Sequence, residues 1–81
     1  MLPNLGPKSR AMLLAAGINS MDELRRLGSV RAYLRVKATD TRASLNLLWA
    51  LEGALTGLPW QVVAREHRLS LLLALEAYRR D

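Results

Sequence analysis

Cysteine is absent from this 81-residue chain, and histidine occurs once, at His67. The absence of cysteine excludes disulfides, thiolate chemistry and cysteine-ligated metal sites. A single histidine also falls short of the ligand set that a zinc site needs. We therefore expect no bound metal and no cofactor.

Aromatic residues are also scarce, at 5% of the chain with no phenylalanine, although apolar residues make up 51%. Leucine and alanine must then build most of the core, and both favour helix. No run of alternating valine, isoleucine and threonine suggests a strand. The sequence predicts an all-α fold: one small domain over residues 1–81, with about five helices packed round a central apolar helix.

The predicted central helix lies in residues 44–60, SLNLLWALEGALTGLPW. Apolar side chains lie almost all the way round it, which is typical of a helix that other elements enclose. Ser44 can cap its first turn, and Gly57 followed by Pro59 supplies a stop, so the helix should run from Ser44 to Thr56. A membrane span needs about 20 mostly apolar residues, and Glu52 interrupts this stretch. The chain also opens without a secretory signal pattern, so we expect a cytoplasmic protein that does not insert into a membrane.

Local start and stop signals divide the N-terminal half into three helices. Gly17 and Gly28 fit the positions just after a helix, and Ser20 with Glu23 has the spacing of a capping box. The loop 38–42, ATDTR, is the one stretch that we expect to be a flexible connection. The predicted helices cover residues 7–16, 21–27 and 30–37.

The last stretch, residues 60–80, can be divided in two ways. It can form one long helix from about Trp60, or a short turn over 60–63 followed by a helix from about Ala64 or Arg65. We favour the second division, because the two valines in the turn are weaker helix formers and the tryptophan could anchor it in the core.

Glu52 is the polar residue that most needs an explanation, because a carboxylate in an apolar helix is costly unless it is paired. No second carboxylate, nucleophile or metal partner stands at a useful spacing, so the sequence predicts no enzyme. We expect a structural hydrogen bond or ion pair with an arginine, Tyr33 or a tryptophan N–H. Trp49 and Trp60 could form a ligand-stacking pair, but core anchors are the favoured interpretation.

Positive charge exceeds negative charge, with 12 lysines and arginines against 7 acidic residues and a formal net charge of +5. This balance permits contact with nucleic acid or another anionic surface but does not demand it. The arginines are spread along the chain. Arg25, Arg26, Arg31 and Arg35 could follow a phosphate backbone, although a solvated helix face is the favoured interpretation.

Three segments carry a resemblance to a known family: LPNLGPKSRAML at 2–13, AGINS at 16–20, and the central stretch at 44–60. Together they resemble the C-terminal domain of the TfoX/Sxy family of bacterial competence regulators. That resemblance implies a non-catalytic regulatory module, acting by weak contacts with the DNA backbone or with a transcription-associated protein. Family members usually carry an N-terminal domain before this one, and we do not expect any activity of that domain to transfer to this chain.

The segment LPNLGPKS is also similar to the hairpin of helix-hairpin-helix proteins, which implies a DNA-phosphate site at Leu5, Gly6, Lys8, Ser9 and Arg10. A helix start has unpaired N–H groups and positive potential, so it favours an anion. Such contacts would hold a duplex without reading its sequence. The alternative is a plain helix entry, with a turn closed by Asn4.

A rival from another functional class is a protein-interaction or oligomerisation module without nucleic-acid binding. Apolar side chains of the last helix would then form the contact surface. They are Leu69, Leu72, Leu73 and Tyr78.

Overall fold

A computed structural model describes residues 5–80 of the chain, apart from the side chain of Arg80. Its elements are α1 (Pro7–Ala15), α2 (Met21–Thr39), α3 (Leu45–Thr56), α4 (Trp60–Val62), a π-helical segment (Val63–His67) and α5 (Arg68–Arg80). The described residues contain no strand, which confirms the predicted all-α class. The predicted turn at Asn4, and any helix before the hairpin, lie outside the described residues.

The end of α1 has the geometry that its sequence predicts. Gly17 has a φ of +82°, and its N–H donates to the Leu14 carbonyl at 3.0 Å. The Ile18 N–H donates to the Leu13 carbonyl at 2.8 Å, which completes a Schellman motif. Leu13 and Ile18 are both fully buried, so this turn is fixed by the core as well as by its hydrogen bonds.

Helix α2 begins and breaks where the sequence indicates. The Ser20 hydroxyl accepts a hydrogen bond from the Glu23 N–H at 3.2 Å, although the Ser20 N–H does not donate to the Glu23 carboxylate in return. Gly28 interrupts the helix with φ +78° and ψ 164°, a conformation that is open almost only to glycine. The break separates an arm over 21–27 from a second arm that extends to Thr39, two residues beyond the predicted end.

Helix α3 lies at the centre of the fold, as predicted, and packs against α2, α4 and the π-helical segment. Leu47, Leu48, Trp49 and Leu51 are buried. The expected side-chain cap at Ser44 is wrong: its side chain makes no cap hydrogen bond. The Leu47 N–H donates to the Ser44 carbonyl at 2.9 Å, so a main-chain bond accounts for the third amide of the helix only.

The turn after α3 folds tightly back onto the helix. Gly57 takes φ +78°, and its N–H donates to the Gly53 carbonyl at 2.8 Å, which confirms the predicted stop. A Cβ atom on Gly53 would lie 2.6 Å from the Leu58 carbonyl oxygen. A glycine at position 53 is therefore what lets the returning chain come this close.

The favoured division of the last stretch is wrong, because α4, the π-helical segment and α5 follow one another without a break. Pro59, with φ −60°, starts the helix directly at Trp60. Val63 is fully buried and packs with its segment against α3, so burial outweighs the weaker helix propensity of valine. Trp60 is 46% exposed, so the expectation that it enters the core is also wrong.

Helix α5 buries one face and exposes another. Leu71 and Leu75 belong to the core, whereas Leu69 and Leu73 are 71% and 63% exposed. Within the described range, no helix combines the length and apolar character needed to cross a membrane.

Candidate nucleic-acid interface

The start of α1 leaves its first-turn amides without a side-chain acceptor. Gly6 is the N-cap residue in an extended conformation, and glycine carries no side chain that could cap the helix. Pro7 occupies the first helical position, and the Arg10 N–H closes the first turn on the Gly6 carbonyl at 3.0 Å. No acidic residue stands in this turn, so the positive end of the helix dipole is not offset there.

The five residues of the predicted phosphate site do not play equal parts. Leu5 is 7% exposed and belongs to the core, so its side chain anchors the helix entry and cannot contact a ligand. Gly6 and Lys8 are exposed, while Ser9 and Arg10 are half-buried. Lys8 and Ser9 line a common groove, and Leu5, Gly6 and Arg10 lie outside its lining.

That groove has a volume of about 230 Å³, and it is also lined by polar residues that the sequence does not predict as part of the site. They are Arg42 in the loop before α3, and Ser44 and Asn46 at the start of α3. The first turn of α3 also lacks acidic residues and a side-chain cap. Two helix starts with uncapped amides therefore border one groove, together with two hydroxyl groups and two cationic side chains.

The loop between α2 and α3 is held by charged side chains. The Lys37 ammonium donates to the carbonyls of Thr41 at 2.7 Å and Ala43 at 2.6 Å. The Arg42 side chain pairs with the Asp40 carboxylate, with Nε to Oδ1 at 3.0 Å and Nη2 to Oδ2 at 3.2 Å. Hydrogen bonds from the side chain and then the backbone of Arg42 hold the pKa of Asp40 below its usual value. Lys37 and Arg42 thus support the local structure, and much of the Arg42 charge is offset.

The other arginines divide into paired and unpaired groups. Arg25 pairs with Asp22 at 3.2 Å, and Arg65 pairs with Glu66 at the same distance. Arg26, Arg31 and Arg35 are exposed and form no ion pair with any described residue. Their full charge is available to an external anion.

Glu52 forms a structural hydrogen bond, as predicted, but its partner is not one of the predicted ones. The hydroxyl of buried Ser29 donates to its Oε1 atom at 2.8 Å. This bond links the start of the second arm of α2 to the middle of α3. The carboxylate, which is half-buried, is therefore satisfied without an arginine, Tyr33 or a tryptophan N–H.

Fold and surface together define a small all-α domain with a basic surface at its helix starts. The chain belongs to the TfoX C-terminal domain family, whose model matches residues 1–75. It is 31% identical over 81 residues to the DNA transformation protein TfoX of Haemophilus influenzae. The match covers 99% of this chain but 37% of that protein, so the chain spans well under half the length of its relative. No solved structure matches the chain.

Proposed function

We propose that this domain is a non-catalytic cytoplasmic module of competence regulation that binds the DNA backbone weakly through the start of α1. The observation that carries the proposal is the groove in which Lys8 and Ser9 meet the start of α3. Its uncapped amides and hydroxyl groups are donors that suit a phosphate oxygen. Membership of the TfoX C-terminal domain family supports the link to competence, since the Haemophilus influenzae relative is named a DNA transformation protein.

The electrostatics of the groove set the expected strength of this contact. Lys8 forms no ion pair with any described residue, whereas Arg42 is bound to Asp40. Besides the hydrogen bonds from Arg42, the Lys8 charge also helps to lower the pKa of Asp40, so it is partly offset by that carboxylate. One such cation with several hydrogen-bond donors predicts weak binding that does not depend on DNA sequence. Such binding weakens as salt rises, with a slope of log affinity against log salt of about 0.9 for one neutralised phosphate.

Titration of a short DNA duplex into the isotope-labelled protein, followed by amide NMR at low and moderate salt, tests this function. Amide shifts at Gly6, at residues 8–10 and at residues 44–46 that weaken with salt are expected. Lys8→Gln should lower the salt slope by about 0.9. Arg25→Gln is the control, because Arg25 is exposed but already paired with Asp22. An unmoved spectrum at low salt overturns the proposal.

A second candidate function is favoured by the outer face of α5. Leu69 and Leu73 stand one turn apart and are among the most exposed large apolar side chains, with half-exposed Tyr78 further along. Leu72 is less exposed and packs partly against the core. Exposed apolar residues in such a row are typical of protein interaction sites. This surface would serve a transcription-associated protein or a second copy of the chain.

Sedimentation analysis over a range of protein concentrations tests the second-copy version. A Leu69→Ser, Leu73→Ser double variant should then sediment as a monomer at concentrations where the parent self-associates. Leu14→Ser supplies the matched control, since Leu14 is 58% exposed on α1. A parent protein that stays monomeric at all concentrations contradicts self-association through this face.

A further inference from the structure

The break in α2 at Gly28 forms a second groove lined by basic side chains. The periodicity of an unbroken helix does not predict this groove. Arg26 and Arg35 both line it, together with Glu23 and Leu27. On a straight α-helix, residues 26 and 35 would lie roughly 13 Å apart along the axis and point to opposite sides. The non-helical conformation of Gly28 is therefore what places the two arginines on one groove.

The charges in this groove are not neutralised by their surroundings. Arg26 and Arg35 are exposed, and neither forms an ion pair with any described residue. Glu23 lines the same groove, yet its carboxylate lies more than 4 Å from both guanidinium groups. Neighbouring Arg25 pairs with Asp22 instead and does not line the groove. Two like charges face one space, and an anion between them would relieve their repulsion.

We infer that the groove between Arg26 and Arg35 binds a phosphate of a nucleic-acid backbone, as a second contact apart from the start of α1. Its volume of about 280 Å³ lies below the usual range of small-molecule pockets, which suits a phosphate group better than a larger ligand. Guanidinium groups match phosphate oxygens with two parallel hydrogen bonds. The inference rests on the proposed function, because it assigns the same backbone ligand to a different pair of side chains.

A matched set of substitutions on α2 tests the inference by the salt dependence of duplex DNA binding. The Arg26→Gln, Arg35→Gln double variant should lower the salt slope by about 0.9, the contribution of one neutralised phosphate, and each single variant should lower it by part of that amount. Arg25→Gln removes the same formal charge from the adjacent position and should leave the slope unchanged. All of these side chains are exposed, so equal melting temperatures are expected and would show that folding is intact.

Glu23→Gln adds a test in the opposite direction. Glutamine keeps the capping-box residue type while removing the negative charge from the groove. Binding at low salt should tighten by about two- to fivefold, the range that one exposed charge contributes. Unchanged or weaker binding would show that no anion enters the groove.

The outcomes separate this inference from the proposed function. If Lys8→Gln lowers the slope and the Arg26 and Arg35 variants do not, the groove is not a site and the α1 contact stands. If the arginine variants lower it and Lys8→Gln does not, the groove stands and the α1 contact fails. If Arg25→Gln lowers the slope by the same amount, net charge alone explains the binding and neither site is supported. If the parent protein does not bind duplex DNA, both the α1 contact and the groove contact are overturned.

Discussion

The hydrogen bond between Ser29 and Glu52 offers the most direct test of how the domain is held together. Ser29 lies directly after the break in α2, and Glu52 lies in the middle of α3, so the bond joins the two helices at a defined point. Ser29→Ala removes the donor and leaves a small apolar group at a position that is 6% exposed. Glu52→Ala removes the acceptor, while Glu52→Gln keeps a neutral acceptor in place.

The expected loss follows from the charge and the partial burial of this pair. A hydrogen bond to a charged group contributes about 1.5–3 kcal/mol to the free energy of unfolding. Because Glu52 is half-buried and keeps some solvent contact, we expect a loss at or just below the lower end of this range, about 1–1.5 kcal/mol, for Ser29→Ala. That corresponds to a fall in melting temperature of about 4–12 °C for a domain of this size. Glu52→Gln should lose less, about 0.5 kcal/mol, because its amide oxygen can still accept the bond.

Urea unfolding of the parent, both alanine variants and the double variant gives the interaction as a coupling energy. Differences in helix propensity at positions 29 and 52 cancel in this cycle when they are independent. The coupling energy should be about 1 kcal/mol. A value within 0.3 kcal/mol of zero would refute the assignment of Glu52 as a structural acceptor and would leave its half-buried carboxylate unexplained.

Two further predictions address other parts of the fold. Trp49→Ala should lower the free energy of unfolding by about 3–5 kcal/mol in urea titrations, because Trp49 is 5% exposed. Trp60→Ala should lower it by less than about 1.5 kcal/mol, because Trp60 is exposed. Equal losses would contradict the exposed position of Trp60. Arg42→Gln should raise the pKa of Asp40 towards its usual value in an NMR carboxyl titration, because the side-chain hydrogen bond is the largest cause of the depression. A depressed folded pKa adds stability above the unfolded value of about 3.9 and loses it as the pH falls, so the parent and variant should differ least in strong acid. An unchanged Asp40 pKa would show that the backbone bond and the nearby Lys8 charge are enough to hold it down.

The helix boundaries that the sequence predicts correctly depend on local backbone geometry. Gly17, Gly28 and Gly57 each take a positive φ, which glycine adopts without strain, and each ends or breaks a helix where expected. The N-cap bond of Ser20 to the Glu23 N–H is equally local, since three residues separate donor and acceptor. Such features can be read from a few neighbouring residues.

The incorrect predictions depend on contacts between distant residues. The continuous helix through Val63 arises because that valine is buried against α3, which propensity alone cannot show. Trp60 lies outside the core because Pro59 starts the helix with the tryptophan at its first position, beside an open groove. No local pattern predicts the partner of Glu52, because Ser29 lies 23 residues away in the chain.

The candidate site was predictable only in part for the same reason. Lys8 and Ser9 were selected from a local motif, but the other side of their groove comes from the start of α3. Arg26 and Arg35 share a groove only because of the conformation of Gly28. Periodicity on a straight helix separates these two arginines, and no pattern in the sequence gives the angle of the break.

The distribution of available charge separates the two proposed functions on the molecule. The formal net charge is +5, but local ion pairs offset Arg25, Arg42 and Arg65. The positive charge is therefore not spread evenly over the surface. Lys8 on α1 and the groove arginines on α2 form no ion pair with a described residue, whereas the exposed leucine pair lies on α5. Because these surfaces share no residue, DNA binding and protein association do not exclude each other. If both proposals hold, a domain with a phosphate-binding surface on two helices and an apolar surface on a third would be suited to hold a protein partner beside DNA.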